Sequence, residues 1–141
     1  MLGLWDKNED GLHLKSYPTD GGDDVVTRVK PGKDFTGGVP NNLFGGMLAM
    51  IFYCHGTTSA AFFKFQSKGL ELTEDTVIER FITSRLEVDF KKPTPMDEEV
   101  EVVARLEELG ERKAIVKMVL TTKREVRAEA KILAVAVKDN I

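Results

Sequence analysis

The most informative absence in this chain is an absence of charge. Residues 35–63 contain no Asp, Glu, Lys or Arg, although charged residues make up 30% of the 141-residue sequence. A helix that is apolar on every side must be buried on every side, in a protein core or in a membrane. The stretch therefore predicts a buried central helix from about residue 42 to about residue 65.

Other absences exclude whole classes of function. The single cysteine, Cys54, excludes an intrachain disulfide and suits a reducing compartment. A net charge of -3 gives no electrostatic basis for binding nucleic acid or an anionic membrane. Two histidines and one cysteine do not make a metal-ligand set. Residues 1–10 lack a basic segment followed by an apolar run, so we expect no signal peptide and a cytoplasmic protein.

The length of the uncharged stretch also suits a membrane span. Against a span stand Gly45 and Gly46 near one end and the polar residues 55–59 in the middle. These groups would be costly in hydrocarbon without partners. The segments that follow supply strand faces that need a cover, so we expect the helix to lie in a protein core.

Strand patterns lie on both sides of the predicted helix. Residues 11–17 and 25–30 flank turn-forming residues and predict a hairpin. Pro40 precedes Asn41 and Asn42, one of which we expect to be the N-cap. After a connection at 67–80, four alternating segments at 82–90, 100–107, 112–122 and 126–138 predict an antiparallel meander.

The faces of these strands suggest how the protein packs. The first long strand should place on one face Ile82, Ser84, Leu86, Val88 and Phe90. The last strand has a face of small residues, which would let the helix approach closely: Ala128, Ala130, Ala134 and Ala136. Apolar residues remain on the outer face, a pattern that favours a homodimer or larger assembly: Val103, Ile115, Val119, Val135 and Val137. The prediction is a single α+β domain over 1–141, with an antiparallel β-sheet wrapped around one long helix.

Several segments, in order, resemble the hotdog-fold acyl-CoA thioesterases, in the branch of phenylacetate-type and hydroxybenzoyl-CoA hydrolases. The resemblance covers about residues 11–138 and is carried by residues 11–14, 25–31, 37–46, 86–95 and 128–132. It implies a hotdog fold, a homodimer or dimer of dimers, and a small-molecule acyl thioester as ligand. Coenzyme A would enter as part of the substrate, with no separate cofactor.

The resemblance also implies where the chemistry takes place. Gly45 matches the first glycine at the N-terminus of the central helix, where unpaired N–H groups and the helix dipole would form an oxyanion hole. The alternative is that Gly45 and Gly46 only allow tight packing of the helix start. The family has a histidine before these glycines, and Phe44 stands in its place here. The family usually carries an Asp or Glu on the helix, and Tyr53 stands in that place. Tyrosine is a weak general base at neutral pH but can orient water.

Further candidates follow from the same resemblance. Thr57 lies one turn beyond Tyr53 and matches a water-positioning threonine of some relatives; it could equally bond back to a helix carbonyl. Asn42 is a candidate because of its position just before the helix: it could polarise a thioester oxygen or hold water, or it could serve only as the cap. Basic pairs at turns are candidates for the phosphates of coenzyme A, or are ordinary surface charges: Lys91, Lys92, Arg112 and Lys113.

Two polar helix residues are expected to be structural. His55 lies about 200° around the helix from Tyr53, so the two cannot face one pocket on a regular helix. Buried polar groups find partners, so we expect His55 to be a satisfied core or interface residue. Cys54 is expected to be a small buried side chain.

Three functions are compatible with this pattern. Hydrolysis of a coenzyme A or other pantetheine thioester is the first. A non-catalytic protein that binds acyl-CoA or a lipid-like ligand is the alternative. A hydratase or dehydratase is disfavoured because the predicted helix offers no His paired with an Asp or Glu.

Overall fold

The computed structural model describes residues 14–32, 35–69 and 78–137. Within them, six strands and one helix follow the chain: β1 (Ser16–Pro18), β2 (Asp24–Val29), α1 (Gly45–Ser67), β3 (Phe81–Phe90), β4 (Val100–Leu109), β5 (Lys113–Thr122) and β6 (Glu125–Ala136). The strands form a single sheet in the order β1-β2-β4-β5-β6-β3, and all its pairings are antiparallel. This confirms the predicted α+β class. Residues 11–13 and 138 of the predicted strands lie outside the described residues.

The inner face of the sheet packs against α1 through small and branched side chains. The four alanines of β6 are at most 7% exposed, which confirms the expected small-residue face. In the middle of the helix, Gly56 approaches the sheet so closely that an added Cβ would lie 2.9 Å from both Ile132 Cγ2 and Met118 Cε. Close packing of the helix on the sheet therefore depends on small residues on both surfaces.

The predicted meander is correct only for β4, β5 and β6. β3 does not pair with β4 but lies at the far edge of the sheet, against β6. The connection contains Pro93 and Pro95, which offer no N–H donors for a tight hairpin. Residues 91–99 instead cross from one side of the sheet to the other. This crossing brings the connection to the start of α1.

The predicted single face of β3 is wrong at its N-terminal end. The register with β6 shifts between Thr83 and Arg85, which is a β-bulge. An extra residue in one strand exchanges the faces on either side of it. As a result Ile82 is 52% exposed and Phe81 only 7%, while Leu86 and Val88 keep the expected orientation.

The start of α1 also differs from the prediction. The N-cap is Phe44, with an extended backbone and no side-chain capping bond, so capping by Asn41 or Asn42 is wrong. Asn42 is held in an isolated β-bridge with Pro95, and its Nδ2 donates to the carbonyl of Pro40 at 3.1 Å. Because this bridge keeps the chain extended, the helix begins three residues later than expected.

One side of α1 is not covered by the chain's own sheet. Tyr53 is 46% exposed. Its neighbours on the same side are exposed or half-buried: Gly46, Ala49 and Met50. The expectation that the helix is buried on every side is therefore wrong along this stripe. No helix in the described ranges combines the length and hydropathy needed to cross a bilayer.

Candidate active site

A cavity of about 360 Å³ opens at the N-terminus of α1. Its lining comes from the loop before the helix, the first turn of the helix, the end of β3 and the β3–β4 connection: Val39, Asn42, Leu43, Gly45, Leu48, Phe90, Lys91, Lys92, Pro93 and Thr94. Four of the eight predicted site residues lie here together, namely Asn42, Gly45, Lys91 and Lys92.

Backbone hydrogen bonds fix the walls of the cavity. The Leu43 N–H donates to the Thr94 carbonyl at 2.9 Å, and the Met96 N–H donates to the Asn41 carbonyl at 3.0 Å. On the other side, the N–H groups of Lys91 and Lys92 both donate to the carbonyl of Arg127, at 2.9 and 3.0 Å. The two loops are therefore held against each other and against β6.

The first helical turn presents backbone donors to this cavity. The first N–H groups of a helix have no acceptor within it. In the described chain, no backbone carbonyl outside the helix accepts from Gly45 or Gly46. An added Cβ at Gly45 would lie 3.3 Å from the ring of Phe90, so glycine leaves the backbone open to close approach. With the positive end of the helix dipole, this geometry suits a carbonyl oxygen that becomes negative during a reaction.

Charge at the cavity is positive but partly neutralised. Lys92 Nζ lies 3.1 Å from Glu125 Oε2, and Lys91 Nζ lies 3.6 Å from Glu129 Oε2. The hydrogen bond from Lys92 is the main cause that lowers the pKa of Glu125 below its ordinary value. Such exposed ion pairs are weak, so both lysines can exchange their carboxylates for an anionic ligand. Among the described lining residues none is a carboxylate.

Tyr53 and Thr57 lie away from the cavity. Tyr53 follows Gly45 by eight residues, about 12 Å along the helix, and points to the exposed stripe. Thr57 is 6% exposed, and its hydroxyl is shared between the carbonyls of Tyr53 at 3.1 Å and Cys54 at 3.2 Å. Of the two alternatives for Thr57, the structure shows the bond back to the helix.

Arg112 and Lys113 lie at the opposite end of the sheet. Their turn is next to the C-terminal part of α1, where Lys64 Nζ donates to the Gly110 carbonyl at 3.2 Å. Arg112 Nη2 donates to the Ala136 carbonyl at 3.3 Å. Neither residue lines the cavity at Gly45 within one chain.

His55 is structural, as predicted. It is fully buried, with Nε2 2.9 Å from the Val25 carbonyl and Nδ1 2.7 Å from Ser16 Oγ. Because a carbonyl only accepts, Nε2 carries the proton and the Ser16 hydroxyl donates to Nδ1. Burial lowers the pKa of His55 to about 4, so the ring is neutral at pH 7. Cys54 is 8% exposed, which confirms the expected burial.

Phe90 and Thr94 also line the cavity but were not predicted as site residues. Phe90 was assigned only to a strand face, and Thr94 was included only in the stretch 86–95 that carries the family resemblance. No local motif marks them, because they reach the cavity through the Asn42–Pro95 bridge, which joins distant segments. Within the described ranges, no group of three His, Cys, Asp or Glu is placed to hold a metal ion.

One helix on the inner face of a six-stranded antiparallel sheet in this strand order is the hotdog fold. Residues 41–129 match the thioesterase superfamily, and the chain belongs to that superfamily. No curated protein matches the sequence.

Solved structures of similar fold include three informative relatives. A thioesterase superfamily protein from Shewanella loihica PV-4 is 29% identical, with a TM-score of 0.69 over 92% of this chain and 96% of that one. The PaaI protein from the E. coli phenylacetic acid degradation operon is 10% identical, with a TM-score of 0.70 over 90% and 81%. The protein smu.793 from Streptococcus mutans UA159, solved bound to acetyl CoA, is 11% identical, with a TM-score of 0.67 over 88% and 86%.

Proposed function

We propose that this protein is a cytoplasmic hydrolase of coenzyme A thioesters or of another pantetheine thioester. The observation that carries the proposal is the cavity that Lys91 and Lys92 line together with Gly45, whose N–H has no backbone acceptor among the described residues. Membership of the thioesterase superfamily supports the chemistry, and the acetyl CoA bound by a protein of the same fold supports the ligand class.

In this proposal water attacks the thioester carbonyl carbon. The carbonyl oxygen becomes an oxyanion that accepts hydrogen bonds from the Gly45 end of α1. The carbon–sulfur bond then breaks, and the products are a carboxylic acid and the coenzyme A thiol, whose sulfur takes the proton released by water. Lys91 and Lys92 attract the phosphates of coenzyme A. The corresponding role of Arg112 and Lys113 stays a prediction without support from this cavity.

The part of α1 before Lys64 has no charged side chain, so we assign the positioning of water to neutral groups. Asn42 lines the cavity, and its Nδ2 is already used by the Pro40 carbonyl. In this proposal its side-chain oxygen accepts a hydrogen bond from the attacking water. Tyr53 and Thr57 lie beyond the cavity, so Tyr53 reaches the thioester only in a site that a second copy completes.

A homodimer, or a pair of such dimers, is part of the proposal. The uncovered stripe on α1 at Gly46, Ala49, Met50 and Tyr53 is the surface that supports it. Apolar residues on the outer face of the sheet, all half-buried, offer a second surface: Val103, Ile115, Val119, Val135 and Val137. Light scattering at micromolar concentration should give a multiple of 15.7 kDa; a monomeric mass contradicts this part of the proposal.

The decisive experiment measures thiol release from acetyl-, hexanoyl-, palmitoyl- and phenylacetyl-CoA. We expect Gly45→Ala to lower kcat/KM by about 100-fold, because its methyl group crowds Phe90 and blocks the oxyanion donors. Gly38→Ala is the matched control, since an added Cβ there meets nothing within 4 Å. Equal activities of these two variants would remove Gly45 from the mechanism.

A specific observation favours a second candidate function. No carboxylate lines the described cavity, so the protein could bind an acyl-CoA without cleaving it. Calorimetry with the same four esters separates the two functions. Binding without thiol release above the buffer rate supports the binding protein and contradicts the hydrolase.

A further inference from the structure

The side chain of Thr94 is buried without a hydrogen-bond partner. The residue is 1% exposed, and its Oγ1 has no donor or acceptor among the described residues. Nearly all buried hydroxyl groups in proteins are paired, because an unpaired one loses its bonds to water without replacement. This exception needs a physical explanation.

The backbone around Thr94 prevents relief by a small movement. Its own carbonyl accepts from Leu43 at 2.9 Å, and the following residue, Pro95, forms the bridge with Asn42. The preceding carbonyl, of Pro93, accepts from Arg127 Nη1 at 3.2 Å. The connection is therefore held on both sides of Thr94.

Thr94 lines the same cavity as Gly45. Two independent groups there have no partner among the described residues and could bind a polar ligand. They are the N–H donors of the helix N-terminus and the hydroxyl on the facing loop. A carbonyl oxygen is an acceptor for both kinds of donor. A hydrocarbon chain in the same position would leave the hydroxyl unpaired.

We propose that Thr94 is a specificity-determining residue whose hydroxyl donates a hydrogen bond to an amide carbonyl oxygen in the pantetheine arm of the bound thioester. This inference rests on the proposed function and adds a residue to its site. Because this amide carbonyl does not react, the hydrogen bond has the same strength in the ground state and in the transition state, so its loss weakens binding and spares the chemical step. Thr94 thereby favours ligands that carry an amide carbonyl at this position over purely apolar ligands.

Thr94→Val tests the inference, because it removes the hydroxyl and keeps the shape. On the panel ester that the wild type cleaves fastest, we expect KM to rise about fivefold, the value of one ordinary hydrogen bond, with kcat unchanged. Without ligand, the melting temperature should rise, since an unpaired buried hydroxyl is gone. Thr94→Ser, which keeps the hydroxyl, should restore the wild-type KM.

Ser59→Ala is the matched control. Ser59 is fully buried in α1, its hydroxyl is also unpaired among the described residues, and it does not line the cavity. Its removal should leave KM unchanged. An unchanged KM in Thr94→Val, or a melting temperature that falls, overturns the inference, because the hydroxyl then either does nothing for the ligand or already has a partner.

If the proposed hydrolysis is not observed, the role of Thr94 can still be tested through binding. If the wild type releases no thiol, affinities from calorimetry with the same esters replace KM. A weaker affinity in Thr94→Val still supports the role of Thr94, and an equal affinity overturns it. If the wild type binds none of the esters, both the function and the inference are wrong.

Discussion

The Leu43 N–H donates a 2.9 Å hydrogen bond to the carbonyl oxygen of Thr94. This bond joins the residue just before the helix cap to the middle of the β3–β4 connection. The cavity lies where these two segments meet, so its shape depends on the strand order that carries residues 91–99 across the sheet. Local sequence alone does not create the site.

Releasing Lys92 from its ion pair should strengthen binding of coenzyme A esters. Glu125→Gln removes the carboxylate 3.1 Å from Lys92 Nζ and leaves a more positive cavity rim. We expect KM to fall about two- to threefold at low salt, with the gain lost at high salt because exposed charges are screened. Steady-state kinetics at two ionic strengths measure the effect.

The control for this variant is Glu98→Gln. Glu98 forms an equally exposed ion pair with Lys123, 3.3 Å apart, and neither residue lines the cavity. An equal fall of KM in both variants would mean that the effect comes from net charge and not from Lys92.

The hydroxyl of Tyr53 can be tested separately from its ring. If a second copy completes the site, Tyr53→Phe should lower kcat about tenfold with KM unchanged, since only the positioning of water is lost. Thr57→Val should leave kcat unchanged, because that hydroxyl is engaged by the helix carbonyls of Tyr53 and Cys54. A wild-type kcat in Tyr53→Phe would exclude Tyr53 without affecting the rest of the mechanism.

As the pH is lowered from 6.5 to 4, the free energy of unfolding should decrease because of His55. Its folded pKa is about 4 and the ordinary value is 6.5, so the unfolded chain takes up a proton first as the pH falls. The folded state loses up to about 3 kcal/mol of stability as the pH falls through this window, and it loses nothing above the window.

Urea unfolding of wild type and His55→Gln at pH 7.5 and pH 4.5 isolates this contribution. The carboxylates titrate in both proteins, so the difference between their two pH dependences belongs to His55. We expect the variant to be less stable at pH 7.5 but to lose less stability on acidification. Parallel curves would show that His55 does not titrate in the predicted range.

Gly56→Ala should destabilise the protein even though alanine favours helices. The helix gains about 1 kcal/mol of propensity, but the new methyl group meets Ile132 and Met118 at 2.9 Å, and overpacking costs about 1–3 kcal/mol. We expect a net loss of about 1 kcal/mol in the free energy of unfolding by urea titration. Thr58→Ala, at the half-buried neighbouring position, should be neutral or slightly stabilising. A gain of stability in Gly56→Ala would show that α1 can move away from the sheet.

Periodicity predicts much of the fold. The alternation at Val100, Val102 and Ala104 identifies the inner face of β4, and the alanines identify that of β6. It fails where structure depends on distant pairing. The bulge between Thr83 and Arg85 is set by the register with β6, and the edge position of β3 follows from strand order, so neither leaves a local pattern.

The candidate site, like the fold, could be predicted from the sequence only in part. Gly45, Lys91 and Lys92 were predicted from the resemblance and Asn42 from its position before the helix, and the structure brings all four to one cavity. Their chemical roles stay predictions. Thr94 is one polar residue between two prolines, and only its burial without a partner distinguishes it from an ordinary turn residue. Arg112 and Lys113 resembled Lys91 and Lys92 as basic pairs at turns, but sequence does not tell which end of the sheet a turn occupies.

The connection at 91–99 is bonded to neighbouring segments at Lys91, Lys92, Thr94 and Met96, and it lines the cavity. The turn between β4 and β5 is closed by a bond from the Gly110 N–H to the Lys113 carbonyl at 2.8 Å and is also bonded to Lys64 and Ala136, but none of these residues lines the cavity. The two ends of the sheet should therefore tolerate insertions very differently. Extra residues after Gly110 lengthen a turn that carries none of the cavity. A single residue added within 91–96 would break the register between two loops, so changes of chain length should be accepted at one end of this fold and rejected at the other.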